Sequence, residues 1–319
     1  TTLFAATADG VFRSSDNGAN WTQINNGLSN KDSRALAVSG IYLLAGTGNG
    51  VFISSDNGSN WIPYSTGLTY KAINYLQVIG MRVFAGSNGG VFIASEIGAV
   101  FNEHSKGLRN TRVMAVYKKE STLFAGTEDN GIYRSNDYGN TWENVNSGIT
   151  NFAIKSFISD GNTIFAGGNG GVYKSTNNGE SWSEVINGLT NRNVRALAIS
   201  GNALFAGTAG GVCRSLDNGA NWSQLNNGLT NTDIYALLAS DETLYAGTGK
   251  GIFRSDDNAE TWIQTTLDSN IVRIFAFSGS KLYAGTSRGV YSSTNQFNDS
   301  KMISTNLSNK DIRALIVVD

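Results

Sequence analysis

The sequence predicts an all-β fold built from eight similar, small sheets. Three observations support this prediction: a motif that returns at about every fortieth residue, four strand-like runs in each repeat, and 38 glycines against one proline in 319 residues. Many short strands joined by glycine-containing turns produce this pattern. Because one repeat can bury its apolar side chains only against a neighbour, we expect the repeats to form a single domain over residues 1–319.

The recurring motif runs from Val11 to Trp21 and contains Ser14, Asp16 and Gly18 in its turn. An Asp side chain accepts hydrogen bonds from turn amides and Gly tolerates a positive φ, so the motif predicts a tight hairpin. The Trp, with about 150–250 Å² to bury, should attach each hairpin to the core. The Asp or Asn and the Trp of the six clearest copies are Asp16 and Trp21, Asp56 and Trp61, Asp137 and Trp142, Asn177 and Trp182, Asp217 and Trp222, and Asp257 and Trp262.

This motif resembles the Asp-box, or BNR, repeat, and the resemblance extends over the whole chain in several copies that keep one register. Families with this repeat include sialidases, xyloglucan-degrading hydrolases, sortilin-type receptors and photosystem assembly factors. The resemblance implies a β-propeller whose motif hairpins lie on the face opposite the usual ligand site. It does not select one of these activities, because function depends on the site rather than on the fold.

The order of the strand-like runs predicts how the ring closes. In the second blade the four runs are 34–39, 43–47, 51–55 and 61–65, and the chain begins on the second strand of a blade. It ends on the run 312–318, which nearly copies the inner strand of the second blade and should complete the first blade, removing two open edges. Counting the second strands predicts eight four-stranded antiparallel blades, with starts at Leu3, Leu43, Val83, Leu123, Ile164, Leu204, Leu244 and Leu282.

Composition excludes several classes of partner. The 24 Lys and Arg balance 25 Asp and Glu to a net charge of −1, which does not favour nucleic acid. No apolar run reaches the length of a membrane span, so we expect no membrane insertion. The single cysteine, Cys213, replaces a Phe of other repeats and should be a buried, unreactive thiol. His104 is the only histidine and should be half-buried packing, so we expect neither a metal site nor a cofactor.

The candidate site is the row of residues at the first position of the inner strands. In propellers, the loop before each inner strand and the loop between the second and third strands meet around the axis, where ligands usually bind. Five of the eight row residues are cationic, and the row consists of Arg34, Asn74, Met114, Lys155, Arg195, Tyr235, Arg273 and Arg313.

Two interpretations of this row remain open. In the first, the polar members hold an anionic group, such as a carboxylated sugar or an acidic peptide, through the forked donors of Arg. In the second, they are solvated side chains at a wide channel mouth, paired with Asp32, Asp233 and Asp311.

A catalytic site is the less favoured interpretation. Sialidases bind a carboxylate with three arginines and use a Tyr with a Glu partner. Some of these roles could be taken by Arg195, Arg273, Arg313 and Tyr235. These residues occupy equivalent places in the repeat, whereas a catalytic site usually needs departures specific to one blade. The one loop insertion supplies adjacent carboxylates, Glu128 and Asp129, which match poorly the opposed pair of a glycosidase.

We therefore predict a non-catalytic binding or scaffold propeller, monomeric and secreted or periplasmic. Its partner would be a glycan or a protein bound at the channel mouth. Two alternatives are a glycoside hydrolase of the sialidase or xyloglucanase type and an assembly factor for a larger protein complex.

Overall fold

The computed structural model describes residues 1–103, 108, 112–240, 242–304 and 306–318. These residues form an eight-bladed β-propeller of four-stranded antiparallel sheets, which confirms the predicted fold class. Two compact units are distinguished: the first contains Thr1–Val113, Gly139–Trp142 and Arg273–Asp319, and the second contains Met114–Tyr138 and Glu143–Val272. The assignment of residues 1–319 to one domain stays a prediction.

Blades 2 and 3 follow the first three strands of blade 1 in the chain. The strands in this part are β1 (Thr2–Thr7), β2 (Gly10–Ser14), β3 (Thr22–Gln23), β4 (Ser33–Ser39), β5 (Tyr42–Thr47), β6 (Gly50–Ser54), β7 (Ile62–Pro63), β8 (Ile73–Ile79), β9 (Arg82–Ser87), β10 (Gly90–Ala94) and β11 (Asn102–Glu103).

Blades 4 to 7 repeat the same order of four strands. They contain β12 (Val113–Lys119), β13 (Thr122–Thr127), β14 (Ile132–Ser135), β15 (Glu143–Asn144), β16 (Ile154–Asp160), β17 (Thr163–Gly168), β18 (Gly171–Ser175), β19 (Ser183–Glu184), β20 (Val194–Ser200), β21 (Ala203–Thr208), β22 (Gly211–Ser215), β23 (Ser223–Gln224), β24 (Ile234–Ser240), β25 (Thr243–Thr248), β26 (Gly251–Ser255) and β27 (Ile263–Gln264).

Blade 8 and the closing strand complete the fold. They contain β28 (Val272–Ser278), β29 (Lys281–Thr286), β30 (Gly289–Ser293), β31 (Lys301–Met302) and β32 (Ala314–Val318). Strand β32 pairs antiparallel with β1, and Phe4 faces Ile316 in this register. The predicted closure of blade 1 by the C-terminal strand is therefore confirmed, although the strand begins two residues later than predicted.

The motif hairpins are held by their own side chains, as predicted. Ser14 Oγ donates to Asp16 Oδ1 over 2.7 Å and accepts the Gly18 amide over 2.8 Å. The Asn20 amide donates to the same carboxylate oxygen of Asp16 over 2.8 Å. The outermost strand is shorter than predicted and has only two paired residues, as in β7, because the Trp61 amide donates to the Asn26 carbonyl of the preceding blade.

Positive φ angles occur at two successive turn positions, whereas the sequence pointed only to the Gly. Asn17 has φ 59° and Gly18 has φ 91°. Ala259 occupies the Gly position of blade 7 at φ 72°, and its amide still donates to Ser255 Oγ over 2.8 Å. The serine hydrogen bond therefore holds the turn even where a Cβ opposes its backbone conformation.

The apolar core lies between successive blades of each unit. One cluster joins blades 2 and 3 through side chains such as Leu44, Phe92 and Phe101, and another joins blades 5 and 6. Cys213 belongs to the second cluster, where burial raises the pKa of its thiol, so the predicted buried cysteine is confirmed. The Trp222 indole adds a polar link, since its Nε1 donates to the Val185 carbonyl of the preceding blade over 2.8 Å.

A close main-chain contact fixes Trp61, Trp182, Trp222 and Trp262 against the preceding blade. The Trp222 amide donates to the Asn187 carbonyl over 2.8 Å. Gly188, at φ 81°, lies so close that a Cβ there would come 2.1 Å from the Trp222 carbonyl oxygen. Equivalent contacts involve Gly27 with Trp61 and Gly228 with Trp262. The Gly of the recurring Asn-Gly-Leu segment is thus required for packing between blades.

Candidate functional site: the inner-strand row

A β-bulge positions five residues of the predicted row. In blade 2, Ser33 pairs with Thr47 and Ala35 pairs with Gly46, so Arg34 lies in a register shift between them. A bulge of this kind redirects a side chain relative to the regular strand. The same shift occurs at Asn74, Lys155, Arg195 and Tyr235.

Two loops meet beside the row within single blades, as predicted. In blade 2, the Gly48 amide between β5 and β6 donates to the Asp32 carbonyl over 2.9 Å. In blade 7, the Gly249 amide donates to the Asp233 carbonyl over 3.1 Å and to Asn231 Oδ1 over 3.1 Å. The backbone thereby holds the carboxylates of Asp32 and Asp233 next to the row.

In the first unit, ion pairs link the row from blade 8 through blade 1 to blade 2. Arg273 donates to Asp311 of the following blade. Arg313, which precedes β32 in blade 1, donates to Asp32 of blade 2, while its Nε lies 3.9 Å from Asp311 Oδ2. Two carboxylates thus lie between guanidinium groups of successive blades.

Blade 2 continues this chain of contacts to blade 3. Arg34 donates through Nη2 to Asp32 Oδ2 over 2.6 Å and through Nη1 to Asn74 Oδ1 over 3.0 Å. Asn74 Nδ2 in turn donates to Asn88 Oδ1 over 2.7 Å. Burial opposes ionisation of Asp32, but hydrogen bonds from Arg34 and Arg313 outweigh it and lower its pKa below the ordinary 3.8.

The second unit contains a similar arrangement across blades 5 to 7. Lys155 Nζ donates to Asn193 Oδ1 over 2.6 Å, and Arg195 Nη1 donates to Asp233 Oδ1 over 2.6 Å. Tyr235 OH donates to the other carboxylate oxygen of Asp233 over 2.7 Å, and its ring centre lies 4.6 Å from the Arg195 guanidinium carbon. This distance is that of a cation–π contact.

The pKa values of two row residues reflect this environment. Burial lowers the pKa of Lys155, and the positive charge of Arg195 lowers it further. The hydrogen bond to Asp233, together with burial, raises the pKa of Tyr235. Both shifts favour the neutral form of the side chain.

A single rule relates most of these pairs. A cationic row residue donates to a side chain of the following blade. That side chain lies two positions before the row residue of its own blade. The acceptors at this position are Asp32, Asn193, Asp233 and Asp311. Arg34 departs from the rule because the following blade has Ala72 there, and it pairs with Asp32 of its own blade instead. The sequence had indicated the three acids, but Asn193 was missed.

The ion pairs with Asp32, Asp233 and Asp311, which the sequence offered as one interpretation of the row, are therefore present. They do not balance the positive charge of the row. In the first unit, three arginines face two carboxylates. In the second unit, Lys155 donates to the uncharged amide oxygen of Asn193, and Arg195 pairs with the carboxylate of Asp233. Met114 is half-buried and adds no charge.

The remaining sequence candidates are an acidic pair and a histidine. Glu128 and Asp129 are exposed in the loop between β13 and β14. His104 lies outside the described residues. Within the described residues, no group of three or more His, Cys, Asp and Glu side chains is arranged to hold a metal ion. The same part of the chain has no helix with the length and apolar character needed to cross a membrane.

The fold and the row together define a β-propeller with an ion-paired inner-strand row. A family model described as the DUF6242 beta propeller domain matches residues 206–316. A comparison with curated protein sequences found no match.

Solved structures share this fold at low sequence identity. An ancestral GH74 enzyme is 18% identical with a TM-score of 0.65, and the match covers 94% of this chain and 48% of the enzyme. The extracellular domain of a putative one-component system from B. thetaiotaomicron is 16% identical with a TM-score of 0.50, covering 97% of this chain and 54% of that one. This chain thus spans about half the length of both structures.

A third structure, of YCF48 bound to D1 peptide, is 13% identical with a TM-score of 0.57. The match covers 81% of this chain and 91% of that one. At such identities the three similarities show the fold alone.

Proposed function

We propose that this chain is a non-catalytic binding module that recognises an acidic group of a protein or glycan partner. The observation that carries the proposal is the excess of positive charge along the row in each unit. The residues proposed to bind are Arg34, Asn74, Lys155, Arg195, Tyr235, Arg273 and Arg313.

The ion pairs prepare the arginines for binding rather than occupy them fully. The side chains of Arg273 and Arg313 are 36% and 33% exposed, although each donates to a carboxylate of the following blade. A guanidinium group has five N–H donors, and one or two bonds to an Asp leave others for a ligand carboxylate. Because the pair already restricts the side chain, less conformational freedom is lost on binding.

Two side chains argue against catalysis at the row. A sialidase-type mechanism needs a nucleophilic Tyr, but the phenol of Tyr235 has a raised pKa and donates to Asp233. A general acid needs a carboxyl group that is protonated near neutral pH, but the pKa of Asp32 is lowered. The hydrolase alternative is tested with a panel of chromogenic glycosides, on which we expect no turnover.

A protein partner is favoured over a glycan, because a propeller of the same fold, YCF48, is bound to a peptide. This likeness also supports the assembly-factor alternative, in which the partner is a subunit of a larger complex. We further propose a secreted or periplasmic monomer. The extracellular neighbour supports this location, and sedimentation at several concentrations tests the oligomeric state.

The test is binding to arrays of acidic peptides and of glycans at low and moderate salt. The double variant Arg195→Ala, Arg313→Ala should lose binding to every anionic ligand that the wild-type chain retains. The matched control is Arg214→Ala, which removes an arginine that pairs with Glu260 on the motif hairpins. Unchanged binding by the double variant would overturn the proposal.

A further inference from the structure

Between blades 2 and 3 of the first unit, a groove of about 240 Å³ opens beside the motif hairpins. Its walls include the apolar side chains of Tyr42, Ile53, Ile62 and Ile97. A shallower extension is lined by Ile41 and Met81. The groove lies at the ends of the blades that carry the turns after the first and third strands, whereas the row lies at the opposite ends.

Most of these apolar residues replace polar or basic ones of the repeat. The place of Ile53 is taken by Arg or Lys in blades 1, 4, 5, 6 and 7, and the place of Ile97 by Asn in five blades. Ile41 and Met81 stand where later blades have Ser, Asn or Glu. Ile41, Met81 and Ile62 are well exposed, at 67%, 68% and 63%, whereas Ile53 forms the buried floor at 7%.

The repeat shows what normally fills this space. Between blades 1 and 2, Arg13 Nη1 crosses to the next hairpin and donates to the Asn57 carbonyl over 2.9 Å. Arg134 and Arg214 make the same contact, with the carbonyls of Asn178 and Asn258, over 2.7 and 2.8 Å. A cation on the hairpin carbonyl is therefore a recurring feature of the junction between blades.

The junction of blades 8 and 1 lacks this arginine but keeps a cation. Ser292 stands at the arginine position, and a groove forms there as well. Lys281, from the neighbouring strand β29, lines that groove, and its Nζ lies 3.4 Å from the Asn17 carbonyl oxygen, to which it donates. A missing arginine thus opens a groove that a lysine of the same blade enters.

The junction of blades 2 and 3 has neither cation. Ile53 replaces the arginine, and Tyr42 stands at the position of Lys281. Two exposed acidic residues nevertheless border the space: Asp56 lines the groove and Glu96 lines its extension. Hydrogen bonds from Asn60 and Ser54 lower the pKa of Asp56 to about 2, so its negative charge is present throughout the physiological pH range.

We propose that this groove is a second binding site, whose ligand is a peptide segment with an Arg or Lys next to an aliphatic or aromatic residue. The apolar residue packs against Ile53, Ile62 and Ile97. The basic group takes the place that Arg13 occupies at the preceding junction, between the hairpin carbonyl of blade 3 and the carboxylates of Asp56 and Glu96. Charge complementarity and the repeat's own arginines specify this ligand chemistry.

The substitution Ile53→Arg provides the decisive variant, because it restores the residue of the repeat and fills the groove from within. A library of dodecapeptides displayed on phage is first passed over the immobilised Ile53→Arg variant, which removes peptides that bind elsewhere on the chain. The remaining phage are then selected on the wild-type chain. We expect enriched peptides to contain a basic residue beside an apolar one, and to bind the wild-type chain at least tenfold more tightly than Ile53→Arg. No enrichment, peptides without a basic residue, or equal binding to both chains would overturn the proposal.

A second pair of variants controls for folding. Ile62→Thr introduces the residue found at Thr22 and should weaken peptide binding. Ile263→Thr changes the equivalent exposed residue of blade 7 and should leave binding unchanged. Equal losses in both variants would contradict the site, and a concentration-dependent dimer that Ile53→Arg abolishes would replace the peptide with a second copy of this chain.

Discussion

Arg195 Nη1 lies 2.6 Å from Asp233 Oδ1, although the two residues belong to successive blades and are separated by 38 positions in the chain. The contact depends on a bulge at Arg195 and on a loop that holds Asp233 next to it. Both side chains are partly exposed, at 25% and 39%. The pair therefore orients Arg195 more than it stabilises the fold, because exposed ion pairs contribute little.

Replacing Asp233 should change the stability of the chain only slightly. For Asp233→Ala we expect the free energy of unfolding to fall by less than about 1 kcal/mol, as for other exposed ion pairs. Urea denaturation of Asp233→Ala, Arg195→Ala and the double variant measures the coupling between the two residues. A coupling of several kcal/mol would show that the pair is a main determinant of stability.

The motif hairpins should make stability depend on acid pH. Hydrogen bonds from Asn221, and then from Ser215, lower the pKa of Asp217 from 3.8 to about 2 in the folded chain. A group with a depressed folded pKa stabilises the protein above its unfolded pKa, and this stabilisation is lost as the pH falls. The urea midpoint should therefore decrease between pH 3.8 and about 2, and it should decrease less in Asp217→Asn.

Blade 5 offers the reverse experiment. Asn177 occupies the Asp position there and accepts hydrogen bonds from Ser175 Oγ and the Ser181 amide. Asn177→Asp should therefore strengthen the dependence of the urea midpoint on pH in the same range. An unchanged pH profile in both variants would show that the hairpin carboxylates do not couple to folding.

The contact between Gly188 and Trp222 predicts different outcomes for two glycine substitutions. Gly188→Ala places a Cβ 2.1 Å from the Trp222 carbonyl oxygen at φ 81°, whereas Gly201→Ala, at φ 55°, meets nothing within 4 Å. Both should lose about 1–2 kcal/mol through left-handed backbone strain. Only Gly188→Ala should lose substantially more, because the blades must separate. Equal losses in urea denaturation would contradict this role of Gly188.

Removal of β32 should open blade 1. Deleting residues 314–318 leaves the edge of β1 without its partner and uncovers the contacts of Leu315, which is 4% exposed. We expect the deletion variant to associate through this edge, which light scattering after gel filtration would detect. A synthetic peptide of residues 312–318 should restore the species of lower mass. A variant that stays monomeric with an unchanged melting temperature would contradict the closure.

Much of the candidate site was visible in the sequence, because the repeat places equivalent residues in equivalent positions. Arg34, Arg195 and Arg313 could be assigned to one row by register alone. The bulge that redirects Arg34 and Arg195 could not be predicted, since no residue type marks it. A comparison of the repeats could have found the groove, because Ile53 and Ile97 stand where most other blades have basic or amide side chains.

The sequence by itself determined the number of blades, the hairpin chemistry and the closing strand, because these depend on short segments that recur with a fixed spacing. Only the tertiary structure decided how the blades contact one another. The partner of Arg195, the need for Gly at 188 and the groove beside Ile53 each depend on two residues about forty positions apart. Such pairs are set by packing between blades, and no single repeat contains both members.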